Sequence, residues 1–296
     1  MFAILGILVV IGAVIGGYLM EHGQLMVLMQ PAELAIIGGC AVGALLVANP
    51  IHVIKALIAQ GISILKPSPY GTTTYFETLR MLYALFNNGR RGGDQALEGE
   101  IEAPENGPSF AVYPAFLKDK SATAYVCDTL RVSLMGGAPH DLEALMELDA
   151  ETQEQEHGES VSALQTMADA LPGFGIVAAV LGVVITMGAL GGPPEEIGHK
   201  VAAALVGTFL GILLSYGVIG PFAALIHKQN DARTQYMACL RSAVIAYTKG
   251  SSAIMCVEFA RRSIPVRCRP AFNVLEEACR NGGSSAAAEA VQAEAA

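Results

Sequence analysis

The chain reads as an all-α, polytopic integral membrane protein, with four transmembrane helices and a helical cytoplasmic domain. Three observations predict this. Only 15% of the 296 residues are charged, where soluble domains carry about 25%, and the mean hydropathy is +0.46. The shortage is confined to four long windows with charges crowded between them, the pattern that spans of a bilayer impose. Seventeen of the eighteen Lys and Arg residues fall on one side of those windows, the asymmetry of the positive-inside rule.

The first window, 1–20, has no charge and no basic n-region. It is therefore expected to be a retained span rather than a cleaved signal. The second, 34–54, comes after Pro31 and Glu33, which suit a helix start. The third, 171–190, has Pro172 at its first turn, a tolerated place for proline. The fourth, 201–226, carries Pro221 inside it. That proline cannot donate to the Gly217 carbonyl and is expected to bend the helix. Lys and Arg crowd into 55–170 and beyond 226, while the loops 21–30 and 191–200 hold only Lys200. This asymmetry predicts an inner-membrane orientation with both termini in the cytoplasm.

The cytoplasmic insert, 55–170, reads as helices broken by turns. Thr72–Phe86 has helical apolar spacing, Asn87–Gly93 is a breaker cluster, and Ala96–Glu102 is short and acidic. Pro104–Pro114 reads as loop, while Ala122–Met135 and Asp141–Met167 are amphipathic. The region 227–280 continues span four as a helix, and the Gly/Ser/Ala/Glu-rich tail 281–296 is expected to be disordered. A net charge of −9 with no basic stripe excludes nucleic acid as a partner. Lys66 and the cluster Arg261, Arg262, Arg267 and Arg269 are expected either to touch anionic lipid or simply to mark the inner face. The six cysteines form no CxxC pair and have no His at ligand spacing. They are read as free packing thiols, with no metal and no cofactor expected.

The spans give the first clue to mechanism. No Asp, Glu, Lys or Arg is placed within the body of any of them, although membrane ion carriers use such groups. Either the chain moves no ions or a partner helix brings the carboxylate. G-x-x-x-G pairs at Gly12–Gly16, Gly39–Gly43 and Gly207–Gly211, extended by Gly175 and Ala179, let backbones approach closely. Packing inside one subunit and packing between subunits both remain open. Of the few polar groups in the spans, Thr186 and Thr208 either bond back to their own helix or line an ion path beside a partner carboxylate.

Several stretches then resemble a known family. These are Leu-Pro-Gly-Phe-Gly-Ile-Val-Ala-Ala-Val (171–180), Val-Gly-Thr-Phe-Leu-Gly-Ile-Leu-Leu-Ser-Tyr-Gly (206–217), Gln-Pro-Ala-Glu-Leu (30–34), Val-Glu-Phe-Ala-Arg-Arg (257–262) and Arg-Pro-Ala-Phe (269–272). Together they are similar to the MotA family of flagellar motor stator proteins, over residues 1 to about 280. The resemblance implies a proton-driven stator in which five such chains surround two helices of the partner MotB. A MotB aspartate carries the ion, and the cytoplasmic insert pushes the rotor protein FliG. No bond is made or broken, so no enzyme activity is implied. Arg90 and Glu98 match the family's rotor-contacting pair, and Asp149 stands where another such acid does. Pro172 and Pro221 match prolines tied to conformational change, and Thr208 matches the threonine facing the MotB aspartate. Thr186 and Tyr216 join it as ion-path or partner-facing positions. Ala179 is threonine in sodium-driven relatives, which points to protons here. Gly173 departs from the commoner alanine, and Arg91–Gly92–Gly93 is expected to loosen the geometry around Arg90. The alternatives are an ExbB/TolQ-type energy transducer, disfavoured by four spans, and a self-contained secondary transporter, disfavoured by the lack of a membrane charge or inverted repeat.

Overall fold

A computed structural model describes residues 2–63, 68–111, 113–188, 191 and 193–280. The tail 281–296, Lys66 and the last two residues of the third predicted span lie outside these. Among the described residues every regular element is helical. The chain divides into two compact units, a membrane unit of Met1–Pro67 and Glu156–Gln229 and a helical domain of Ser68–Gln155 and Asn230–Ala296.

In the membrane unit, α1 (Phe2–Met20) is apolar all round and has no core-facing side. The one-turn α2 (Leu25–Leu28) leads to α3 (Pro31–Ala48), which starts with Pro31 in its first turn. The apolar window predicts a second span that runs to residue 54. The helix closes at Ala48 instead, because Pro50 drives Asn49 into an extended conformation (φ −129°, ψ 140°). A separate helix, α4 (Ile51–Ser63), comes next.

The remaining spans belong to much longer helices. The 49-residue α9 (Pro139–Met187) joins the amphipathic segment and the third span without interruption. Pro172 thus lies inside a helix rather than at its first turn, and the Ala168 carbonyl loses its intrahelical donor. Beyond it, α10 (Pro194–Leu214) passes through a π-helical turn (Ser215–Ile219) into α11 (Gly220–Thr248). Within that turn the Gly220 N–H donates to the Ser215 carbonyl five residues back. The widened turn accommodates the donor that Pro221 lacks. Among the described residues four helices are long and apolar enough to cross a membrane.

The core of this unit is small. Ile37 and Ala41 of α3 meet Leu171 and Ala178 of α9, and Leu164 meets Ala223 and Ile226. Val10 of α1 lies against Gly217 of the π turn.

The helical domain has a far larger core. Its first helix, α5 (Thr72–Glu102), runs through the expected breaker cluster and breaks only at Gly93 (φ 73°, ψ −171°), where the chain doubles back. The stretch that reads as loop holds a helical turn, α6 (Pro108–Ala111). Next come α7 (Pro114–Lys118) and α8 (Lys120–Leu134), the latter capped by the Asp119 carboxylate, which accepts from the Ala122 N–H at 3.1 Å. After α11 the chain forms α12 (Ala253–Ser263), a 3₁₀ turn (Val266–Cys268) and α13 (Phe272–Arg280). Tyr75, Phe76, Leu79, Leu82 and Phe86 of α5 recur at helical spacing and are buried with Leu240, Val244 and Val257.

All six cysteines are free. Burial pushes the Cys239 thiol up to about 12, so it packs as an apolar residue. Three of the four clustered arginines, Arg261, Arg262 and Arg269, are engaged within the domain. Arg261 grips Glu258 with two bonds of 2.7 and 2.9 Å, Arg262 adds a third of 2.7 Å, and Arg269 donates to the Ile264 and Arg262 carbonyls. These guanidinium bonds, that of Arg261 first, hold the Glu258 carboxyl down to about 2.

Candidate functional site

Two places carry the residues that the sequence singles out, one in each unit. In the membrane unit α9 and α10 meet along a seam of glycines. A Cβ on Gly175 would lie 2.9 Å from the Gly207 carbonyl oxygen and 3.1 Å from the Gly211 Cα. One on Gly211 would lie 2.7 Å from the Leu171 carbonyl oxygen, and one on Gly182 would lie 2.7 Å from the Ala204 Cβ. Larger side chains are excluded at each position. Lipid gives little hydrophobic drive between helices, so such close backbone approach is how a helix pair gains van der Waals energy there.

The seam resolves part of the question left by the G-x-x-x-G pairs. Gly207 and Gly211 are used inside the chain, whereas Gly12, Gly16, Gly39 and Gly43 have no neighbour among the described residues within 4 Å of an added Cβ.

Ala179 and Thr208 both lie on the seam. The backbone N of Ala179 would be 3.2 Å from a Cβ on Gly207, and the Cα of Thr208 would be 3.3 Å from one on Gly175. Thr186 is 4% exposed, and its hydroxyl donates to the Gly182 carbonyl at 2.8 Å, the back-bonded arrangement that competes with lining an ion path. Tyr216 lies off the seam in the π turn, 73% exposed. Pro172 is next to Leu171 at one end of the seam, and Pro221 stands exposed just past the π turn.

One residue overturns an expectation. Glu33 lies within the apolar stretch Leu25–Ala48, so the spans do carry an ionisable group. It is 7% exposed, and its Oε2 has no hydrogen-bond partner. A Cβ on Gly207 would sit 2.6 Å from that oxygen, and one on Gly182 would be 3.4 Å from Oε1. In the sequence Glu33 reads as a helix-start residue, because it stands in the first turn of α3. Only the packing of α10 and α9 against it reveals its burial.

In the helical domain Arg90, Glu98 and Asp149 are all exposed. Arg90 is nonetheless held. Its Nη2 donates to the carbonyls of Tyr247 and Ser251, each at 3.0 Å, and its guanidinium carbon lies 4.8 Å from the Tyr247 ring centroid. It thereby caps the end of α11, where the free carbonyls favour a cation. The neighbouring glycines tighten this place rather than loosen it. A Cβ on Gly89 would be 2.5 Å from the Tyr247 hydroxyl, and one on Gly92 would be 2.5 Å from the Ala96 Cβ.

Glu98 sits on the returning limb after Gly93. That limb is pinned by Leu97 and by Glu100, which is 4% exposed. The Glu100 carboxylate accepts from Asn88, from the Ser109 N–H at 3.0 Å and from the Ser109 hydroxyl at 3.1 Å. No local pattern marks this buried acid, since its partners lie nine and twelve residues away across two turns. Arg90 and Glu98 form no ion pair with each other among the described residues. Asp149 accepts from Gln153 at 3.1 Å. No group of three His, Cys, Asp or Glu side chains among the described residues is placed to hold a metal.

Four apolar helices, a small-residue seam and a charged helical domain define the chain as a polytopic helical membrane protein. Residues 4–93 match the family described as Motility protein A N-terminal, and residues 118–238 match the MotA/TolQ/ExbB proton channel family. The chain is 40% identical to Motility protein A of Salmonella typhimurium and 39% identical to that of Escherichia coli, over 95% of each partner in both pairs. It is 36% identical to Chemotaxis protein LafT of Vibrio parahaemolyticus over 92% of this chain and 96% of that one. The chain belongs to the Motility protein A family. Its fold is shared with the flagellar MotAB stator complex from Bacillus subtilis, at TM-score 0.71 and 22% identity over 93% of this chain and 98% of that one. The structure of C. jejuni MotAB matches at TM-score 0.73 and 16% identity over 89% and 95%.

Proposed function

We propose that this chain is the A-type subunit of an ion-driven flagellar stator in the inner membrane, with both termini in the cytoplasm. Five copies surround two helices of a MotB-type partner, proton flow turns the ring, and the helical domain pushes FliG. The work is mechanical, no covalent bond changes, and no cofactor is used, the proton being the transported ion.

The observation that carries this reading is the unequal use of the glycine pairs. Gly207 and Gly211 close a seam within the chain, while the pairs of α1 and α3 lie open. Open small-residue faces on spans suit contact with further helices, here neighbouring subunits, the partner and lipid. Arg90, Glu98 and Asp149 supply exposed charges, which steer a repeated contact more than they tighten it. Thr208, Thr186 and Tyr216 are assigned to the partner-facing path, and Pro172 and Pro221 to conformational coupling. Ala179 in place of threonine favours protons over sodium.

The test is co-purification with a tagged MotB-type partner in detergent, and then the mass of the intact complex. Several copies of this chain around fewer partner chains are expected. A monomer that retains no partner would overturn the reading.

A further inference from the structure

We propose that Glu33 is a proton-binding site within the membrane unit, a carboxyl of this chain that takes up and releases a proton as ions cross. This rests on the stator reading and adds to it a protonatable group that the chain itself carries. Four observations lead there.

The first is placement and burial. Glu33 lies within an apolar stretch, is 7% exposed, and presents an Oε2 with no donor. An anion so placed is costly in an apolar medium. The second is the room made for it. Oε2 points at Gly207 and Oε1 at Gly182, and a Cβ on either glycine would crowd the carboxyl. The third is an opposing influence that keeps the anion within reach. Glu33 occupies the first turn of α3, where unpaired N–H groups and the helix dipole favour negative charge.

The fourth is the absence of any charged partner on the packed elements. The α2 segment and the part of α9 beyond Asp169 carry no ionisable side chain. The α10 helix carries Glu195, Glu196, His199 and Lys200. Lys200 is paired with Glu196 at 2.8 Å and lies seven residues, about 10 Å, from Gly207. The Thr186 hydroxyl gives its proton to the Gly182 carbonyl. A carboxyl with neither donor nor counter-charge, held between burial and a helix terminus, is suited to cycling between two protonation states. The step balances simply. A hydronium ion gives its proton to Oε2, an O–H bond forms and water leaves. Release to water or to a partner carboxylate breaks the same bond.

The experiment uses the complex with its MotB-type partner in lipid vesicles. Proton uptake under a potassium diffusion potential is monitored with a pH dye, and infrared difference spectra are recorded on acidification. In an assembled Glu33→Gln complex proton uptake is expected to fall roughly tenfold or more. The Glu33 component of the protonated-carboxyl absorption seen in the wild type should disappear with it, while that of the partner's carboxylate remains. Glu33→Asp should keep uptake with a displaced pH midpoint. Unchanged uptake in assembled Glu33→Gln, or a protonated-carboxyl band there as strong as in the wild type, would overturn the proposal. Uptake that tracks sodium rather than pH would overturn the proton assignment. If Glu33→Gln does not assemble, Glu33→Asp decides, since a carboxyl band unmoved by the shorter side chain contradicts the site. A wild-type complex that passes no protons at all sinks the stator reading instead, and the infrared titration still decides Glu33.

Discussion

In the helical domain α5 sends Tyr75, Phe76, Leu79, Leu82 and Phe86 into one continuous core, and each is at most 2% exposed. In the membrane unit Leu8, Val9, Val184 and Ile185 are each more than 60% exposed, and α9 and α10 meet closely through glycines. Both units are helical, yet the solvent each is built for decides what holds it. Water rewards burial of large apolar side chains. Lipid is as apolar as leucine and rewards close backbone contact instead. Truncating a large residue should therefore injure one unit, and enlarging a small one should injure the other.

The largest effect is expected from Gly211→Leu, whose side chain has no space against Leu171 and Gly175. A cost above about 4 kcal/mol should appear as loss of the complex on detergent size exclusion. Recovery of a normal complex would break the comparison at its centre. Phe86→Ala comes next. Phe86 is fully buried and its ring stacks on Tyr247 at 4.6 Å, so about 3–5 kcal/mol is expected from chemical denaturation of the helical domain's signal.

The Glu258 cluster is third. Its carboxyl is held near 2 against an ordinary 4.5. A depressed carboxylate contributes stability that is complete above the unfolded value and is lost as pH falls from about 4.5 towards 2. The contribution is about 3 kcal/mol. Glu258→Gln should remove that acid sensitivity, seen in melting curves at stepped pH. Arg90→Ala should cost about 1–2 kcal/mol through the freed end of α11, measured by thermal melting. It should lower swimming speed by more than this stability loss explains if the charge also meets the rotor. Smallest of all, Val184→Ala on the open face of α9 should change stability by less than about 0.5 kcal/mol. A larger effect in the assembled complex would mean that another chain covers this face.

The parts of the fold legible from sequence are those that one-dimensional patterns encode. Four apolar windows became four apolar helices, and the motif around Pro172 and Thr208 fell on one seam. Other features depend on distant contacts. Glu33 looks like a helix-start residue until Gly207 and Gly182 are packed against it. Glu100 looks like one more acid on a polar limb until Ser109 folds over it. Local chemistry also misled. Proline suits a helix start and is also tolerated in some helix interiors, and Pro172 proved to be the second. A glycine run reads as slack, yet Gly89 and Gly92 sit where a Cβ would collide, and only Gly93 needs its unusual φ. Of the candidate site, Ala179 and Thr208 were findable by motif and Thr186 as a polar group in an apolar span, whereas Glu33 required the third dimension.

The π turn at Ser215–Ile219 sets the angular phase of α11. A π turn accommodates one residue beyond the α-helical repeat, and each α-helical residue advances about 100° around the axis. The side-chain directions of α11 are therefore offset from those that α10 would dictate if it simply continued. Deleting a single residue between 215 and 219 would convert the turn to ordinary helix and leave every residue after it at its present azimuth. Deleting one elsewhere in α10 would swing the whole of α11 (Gly220–Thr248) by about a quarter turn.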